Sequence, residues 1–144
     1  MGMNILLLED DFVTRIALQK LLSPYGECHI AARGAETVEA FVMALDAGHP
    51  YDLICLDILV PDMDGHHVLK AIREAESAKG ILSGHGTKII MTSILGNMQN
   101  VMAAYSALCD GYLPKPITKR KLAKALQELK LIPADHIDPA KKSA

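Results

Sequence analysis

Four hydrophobic runs in this 144-residue chain each end on a residue able to do chemistry. Ile5-Leu6-Leu7-Leu8 runs into Glu9-Asp10-Asp11, and Leu53-Ile54-Cys55-Leu56 into Asp57. Ile89-Ile90-Met91-Thr92 ends on Ser93, and Gly111-Tyr112-Leu113-Pro114 on Lys115-Pro116. Apolar runs of this length, with helical periodicity between them, read as parallel strands buried on both faces. In an open α/β sheet the crevice beyond the carboxyl ends of the strands is where ligands bind. If the four runs share one sheet, acids, a hydroxyl and an ammonium converge there. Together they suit a divalent cation and a phosphoryl group.

The elements that must position these residues alternate. A helix over 11–23 puts Ala17, Leu18, Leu21 and Leu22 on one face and stops at Ser23-Pro24. A weaker strand, 28–32, follows Gly26, and a helix over 35–46 carries Ala35, Val38, Val42 and Leu45 on its buried stripe. Gly48-His49-Pro50 punctuates before the Asp57 strand, and a third helix opens near Gly65 and buries Val68, Leu69 and Ile72. Met98, Val101, Met102, Tyr105 and Leu108 make a fourth, amphipathic helix. A fifth carries Leu122, Ala125, Leu126 and Leu129 inward, with Lys119, Arg120, Lys121 and Lys124 outward. Five βα units in succession imply right-handed crossovers and a parallel sheet covered on both faces. The stretch 77–87, with Gly80, Gly84 and Gly86, reads as a long loop extending the third helix. Residues 1–131 are expected to form one domain, with 132–144 a flexible polar tail.

Composition removes several function classes. Half the residues are hydrophobic, but only four Tyr and two Phe are aromatic, so the core is aliphatic. A net charge of −2 argues against nucleic-acid binding driven by electrostatics. Cys28, Cys55 and Cys109 are widely spaced and form no CxxC, as expected of buried thiols in a reducing, cytoplasmic setting. No stretch approaches the roughly 20 apolar residues of a membrane span. Adjacent His66 and His67 point about 100° apart on a helix and cannot readily chelate together.

The ordered set Glu9-Asp10, Asp57, Pro61, Gly65, Ser93, Tyr112 and Lys115-Pro116 resembles the receiver domain of two-component response regulators over roughly 4–131. The resemblance implies a flavodoxin-like doubly wound sheet in strand order 2-1-3-4-5 with five helices. It implies a signalling switch rather than an enzyme acting on other molecules. Asp57 would accept a phosphoryl group from a histidine kinase or phosphotransfer protein; an ionised carboxylate needs alignment and charge neutralisation rather than a base. Mg²⁺ would be held by Asp10, Asp57 and the Leu59 carbonyl, with Glu9 acting through water. Asp11 instead reads as the start of the first helix, its charge meeting the helix dipole. Lys115 would meet the phosphoryl oxygens, its neighbour Pro116 forming a cis-proline turn. Ser93, chosen over Thr92 because it keeps the family's interval to Lys115, would hydrogen-bond the phosphoryl group. Tyr112 would relay the change to a downstream protein on the face of the fourth helix, fifth strand and fifth helix.

Two departures from the family pattern stand out: the interval from Asp57 to Ser93 is lengthened by 77–87, and Ile94 replaces the small residue that usually follows the hydroxyl. Asp62-Met63-Asp64-Gly65 raises a rival, a haloacid-dehalogenase-like phosphatase, but that motif wants its first aspartate directly at a strand end. A third reading, an inactive receiver used as a scaffold, is weakened because no acceptor or metal residue is missing.

Overall fold

The computed structural model describes residues 2–58, 65–94 and 108–133. The strands are β1 (Met3–Leu8), β2 (Gly26–Ala31), β3 (Leu53–Asp57), β4 (Lys88–Ile94) and β5 (Gly111–Lys115). All pair in parallel as one sheet, in the order β2-β1-β3-β4-β5. This is the flavodoxin-like doubly wound arrangement. Between the strands run α1 (Phe12–Leu22), α2 (Gly34–Asp46) and α3 (Gly65–Ala78), and a C-terminal helix (Lys119–Glu128) follows β5. The fourth helix expected near 98–108 falls outside the described residues except for Leu108, as does the tail from 134 onward.

Side chains alternate along each strand, so the sheet feeds two cores. On one face Leu6, Leu8, Ile54, Leu56, Ile89 and Met91 pack with Phe41 of α2 and Val68, Leu69 and Ile72 of α3. On the other, Ile5, Leu7, Leu53, Cys55, Ile90 and Leu113 pack with Leu18 and Leu22 of α1 and Leu122 and Leu126 of the C-terminal helix. Edge strand β2 has a mixed burial pattern, which explains its weaker sequence signal. Asp11 caps α1, its side chain accepting from the Thr14 N–H at 2.9 Å. Thr118 caps the C-terminal helix in the same way.

Two helix faces differ from the aliphatic stripes expected. In α2 the fully buried line is Gly34, Thr37 and Phe41, while Val38, Val42 and Leu45 flank it half-buried and Ala35 is exposed. An aromatic ring removes more apolar area from water than any aliphatic neighbour, so Phe41 takes the centre and turns the helix. In α1 Leu18 and Leu22 are buried, but Ala17 faces solvent along with Phe12 and Val13.

The stretch 77–87 also departs from a plain loop. Ser77 and Ala78 complete α3, and a charge network secures the connection from there to β4. The Glu76 carboxylate, 4% exposed, accepts from the Thr87 N–H at 2.6 Å and pairs with Arg73 Nη1 at 2.7 Å. Arg73 also donates to the main-chain oxygens of Leu108 and Thr87 and to Asp110 Oδ2. Asp110 in turn accepts from the Ile89 N–H at 2.8 Å. A Cβ on Gly86 would run into the Glu76 carboxylate, so the tight approach needs glycine there.

If Phe41 is the centre of the α2 face, Phe41→Ala should destabilise the protein by about 3–5 kcal/mol. Ala35→Ser, on the exposed side, should stay within about 0.5 kcal/mol of the parent. Urea unfolding midpoints at constant slope measure both.

Candidate functional site

Strand register brings the chemistry-bearing ends together. Leu8 pairs with Leu56, so Glu9 and Asp57 leave neighbouring strands side by side. Asp57 pairs with Thr92, and Ser93 and Ile94 pair with Pro114 and Lys115. Glu9, Asp10 and Asp57 each offer a carboxylate oxygen within 4.8 Å of the others. Asp10 is exposed, whereas Glu9 is fully buried and Asp57 is 5% exposed. Lys115 reaches into this cluster: Nζ lies 2.8 Å from Glu9 Oε1 and 3.5 Å from Asp57 Oδ2.

The two oxygens of Glu9 are treated differently. Oε2 accepts from the Asp11 N–H at 3.1 Å. Oε1 lies 2.8 Å from the Lys115 ammonium as a charge contact and has no well-aligned hydrogen bond among the described residues. A buried carboxylate oxygen left so is costly unless a further group uses it. Three hard oxygen donors with one open lone pair fit a small divalent cation such as Mg²⁺, which takes few protein ligands and keeps water.

Burial by itself would lower the Lys115 pKa, but contact with Glu9 and the charge of Asp57 outweigh it and hold the ammonium above the usual lysine value. Lys115 therefore stays charged at neutral pH. The thiols show burial unopposed: Cys55 is pushed up to about 12 and Cys28 to about 11. Neither is a nucleophile at neutral pH.

The other expected residues divide. Ser93 is 3% exposed, and among the described residues its hydroxyl donates only to the Ile94 carbonyl, at 3.4 Å. Tyr112 packs against the α2–α3 core, with its hydroxyl buried and lacking a hydrogen-bond partner among the described residues. The Lys115–Pro116 peptide is cis. Ile94 is 65% exposed. Leu59 and Pro61, like Asp62-Met63-Asp64, lie outside the described residues; among the described ones, the Gly65 N–H donates to the Ile58 carbonyl at 3.0 Å. Gly65 suits that contact, since a Cβ would sit 3.0 Å from the Met91 methyl and 3.1 Å from Ile58 Cα.

Arg15 was missed by sequence reasoning. Its Nη1 lies 3.5 Å from the Glu9 carbonyl and its guanidinium 5.6 Å from the Phe12 ring centre. The available signal was its spacing, one helical turn beyond Asp11.

A lysine whose folded pKa is raised contributes stability that is complete below its unfolded value and is lost as pH rises through the folded one. For metal-free protein, the stability difference between wild type and Lys115→Met should therefore be constant from pH 7 to about 9 and shrink above 10.5, the ordinary lysine value. Urea unfolding of both proteins across that range measures it.

Comparison with known proteins agrees with this geometry. The family model described as the response regulator receiver domain matches residues 5–127. A probable histidine kinase of Oryza sativa subsp. indica is 31% identical over 135 residues; the match covers 87% of this chain but only 12% of that much longer protein. A two-component response regulator of Oryza sativa subsp. japonica is 30% identical over 128 residues, covering 89% of this chain and 94% of the relative. Among solved structures, the receiver domain of a sensor histidine kinase from Pseudomonas aeruginosa, described with a magnesium ion coordinated in its active site cleft, superposes with a TM-score of 0.70. It is 25% identical, and the match covers 90% of this chain and 98% of that one. With strand order, strand-end chemistry and the family model in agreement, the chain belongs to the response regulator receiver domains.

Proposed function

We propose that this chain is a phosphorylation-dependent switch with Asp57 as acceptor. The observation that carries the reading is a buried carboxylate at the end of β3, with a lysine ammonium 3.5 Å away and two further carboxylates beside it. An Asp57 oxygen forms the bond to phosphorus as the N–P bond of a donor phosphohistidine breaks; the donor imidazole keeps the electron pair. Glu9, Asp10 and Asp57 would hold Mg²⁺, which supplies charge neutralisation to the transferring phosphoryl group. Lys115 meets the remaining phosphoryl oxygens as a mobile point charge. The kinase-derived relatives favour a histidine kinase or phosphotransfer protein as donor.

An apolar strip beside the site suits the docking of that donor. Phe12 and Val13 are 62% and 73% exposed. A groove of about 380 Å³ separates α1 from the segment after β5, lined by Val13, Ala17, Leu21, Pro116 and Ile117, with Lys115 at its end. A helix carrying a phosphohistidine and laid along it would face Asp57.

Output requires a change at Ser93 and Tyr112. Moving a two-state switch from 1:99 to 99:1 takes about 5.5 kcal/mol of differential stabilisation. One charge-assisted hydrogen bond from Ser93 supplies about 1.5–3 kcal/mol. The phosphoryl contact to Lys115 and a repacking of Tyr112 add to it. The Ser93 hydroxyl is held only by a long contact, and the Tyr112 hydroxyl is buried without a partner among the described residues, so little resists either change. Exposed Lys119, Arg120, Lys121 and Lys124 beside β5 suit an acidic downstream partner.

Acetyl phosphate with Mg²⁺ should add one phosphoryl group to the intact mass; Asp57→Asn or chelation of the metal should abolish uptake. Normal uptake by Asp57→Asn would move the acceptor elsewhere. On adding beryllofluoride, amide shifts should change most between residues 93 and 121. Changes confined to the loop after Asp57 would show that the signal leaves by another face.

A further inference from the structure

Glu9 has two claimants. Its Oε1 is gripped by Lys115 Nζ at 2.8 Å, closer than that ammonium comes to Asp57, at 3.5 Å. The same carboxylate belongs to the trio whose oxygens lie within 4.8 Å. We propose that Glu9 is the resting partner of Lys115, and that a divalent cation taken by this trio releases the lysine toward the acceptor. Cation binding and lysine release are then one linked event. The proposal rests on the metal reading above and assigns Glu9 a positioning role that a plain metal ligand would not have.

Three features support it. The first is orientation: the Asp11 N–H holds Oε2, which leaves Oε1 directed at Lys115. The second is reach. Glu9 is one methylene longer than the exposed Asp10, and its carboxylate is fully buried against a lysine that is 20% exposed. The pair is therefore poorly screened by solvent, so its grip is worth breaking only for a stronger charge. The third is charge: three carboxylates and one ammonium sum to −2, and a divalent cation brings the four groups to neutrality. With the cation in place, Lys115 has lost its claim on Glu9, and an ammonium sharing that oxygen would be repelled by the metal. The lysine is thus free to meet an arriving phosphoryl group only when the cation that group also needs is present. This orders the assembly of the site, metal before lysine.

Magnesium chloride, without any phosphoryl donor, tests the linkage. In wild-type protein the Lys115 ammonium resonance, observed by ¹H–¹⁵N NMR at low temperature, should shift in step with Mg²⁺ saturation measured by calorimetry. A Lys115 signal that stays still while Mg²⁺ saturates the site overturns the proposal and leaves the metal reading standing. Calorimetry on variants gives the second measurement. Lys115→Ala should tighten Mg²⁺ binding by about tenfold in the parent but less than about threefold in Glu9→Gln, the gap being the Glu9–Lys115 coupling. An equal gain in both backgrounds would mean simple removal of a positive charge, with no grip by Glu9, and would refute it. Absence of saturable Mg²⁺ binding in the wild type would take down both readings together.

Discussion

Like-charge crowding at one edge of a parallel sheet governs this molecule. Neighbouring strands lie about 4.8 Å apart, so residues leaving adjacent strand ends cannot avoid one another. Two carboxylates at that spacing repel by roughly 3 kcal/mol at an effective dielectric of 20, and burial keeps salt from screening them. Glu9 and Asp57 are in that position, with Asp10 beside them. Left alone, such a cluster would splay. It holds because the strands beneath it are pinned on both faces by aliphatic cores and because Lys115 lies between the acids.

That constraint explains why so much of the site was legible in the sequence. A buried parallel strand is a continuous apolar run, so its end is marked by the first charged residue. Glu9, Asp57 and Lys115 announce themselves in that way, and the strict alternation of runs and helical stripes determines the sheet topology within a few choices. What escaped was set by packing rather than by pattern. The aliphatic stripe of α2 was visible, but the rotation that centres Phe41 depends on ring size against the α3 surface. The i,i+3 spacing of Arg73 and Glu76 is legible, but their joining to Thr87 and Asp110 comes from three segments meeting at 2.6–2.9 Å, which no local periodicity encodes. The contact between Arg15 and the Glu9 carbonyl has the same origin.

The two helical layers divide the labour. The layer of α1 and the C-terminal helix shares its sheet face with Cys55 and Leu113, the residues two before Asp57 and Lys115. Side-chain alternation therefore directs Asp57 and Lys115 to that same side, next to the exposed apolar residues of α1. The α2–α3 layer receives Tyr112. Input chemistry and the proposed relay thus start from opposite faces of one sheet, joined through β4 and β5, which lie side by side. A change at one strand end would reach the other face where Tyr112 meets the α2–α3 core.

The network of Arg73, Glu76, Thr87 and Asp110 lies at the opposite pole, where strands begin rather than end. It spans α3, the start of β4 and the start of β5, and absorbs the extra length of 79–87 in a self-contained knot. A change in the length of this connection need not reach the carboxylate cluster, because the two poles are separated by the full length of the strands. Gly84, at φ 84° and with open space around it, marks the natural point for such growth. The fold can therefore take on new surface at one end while the geometry of its reactive end is left as it is.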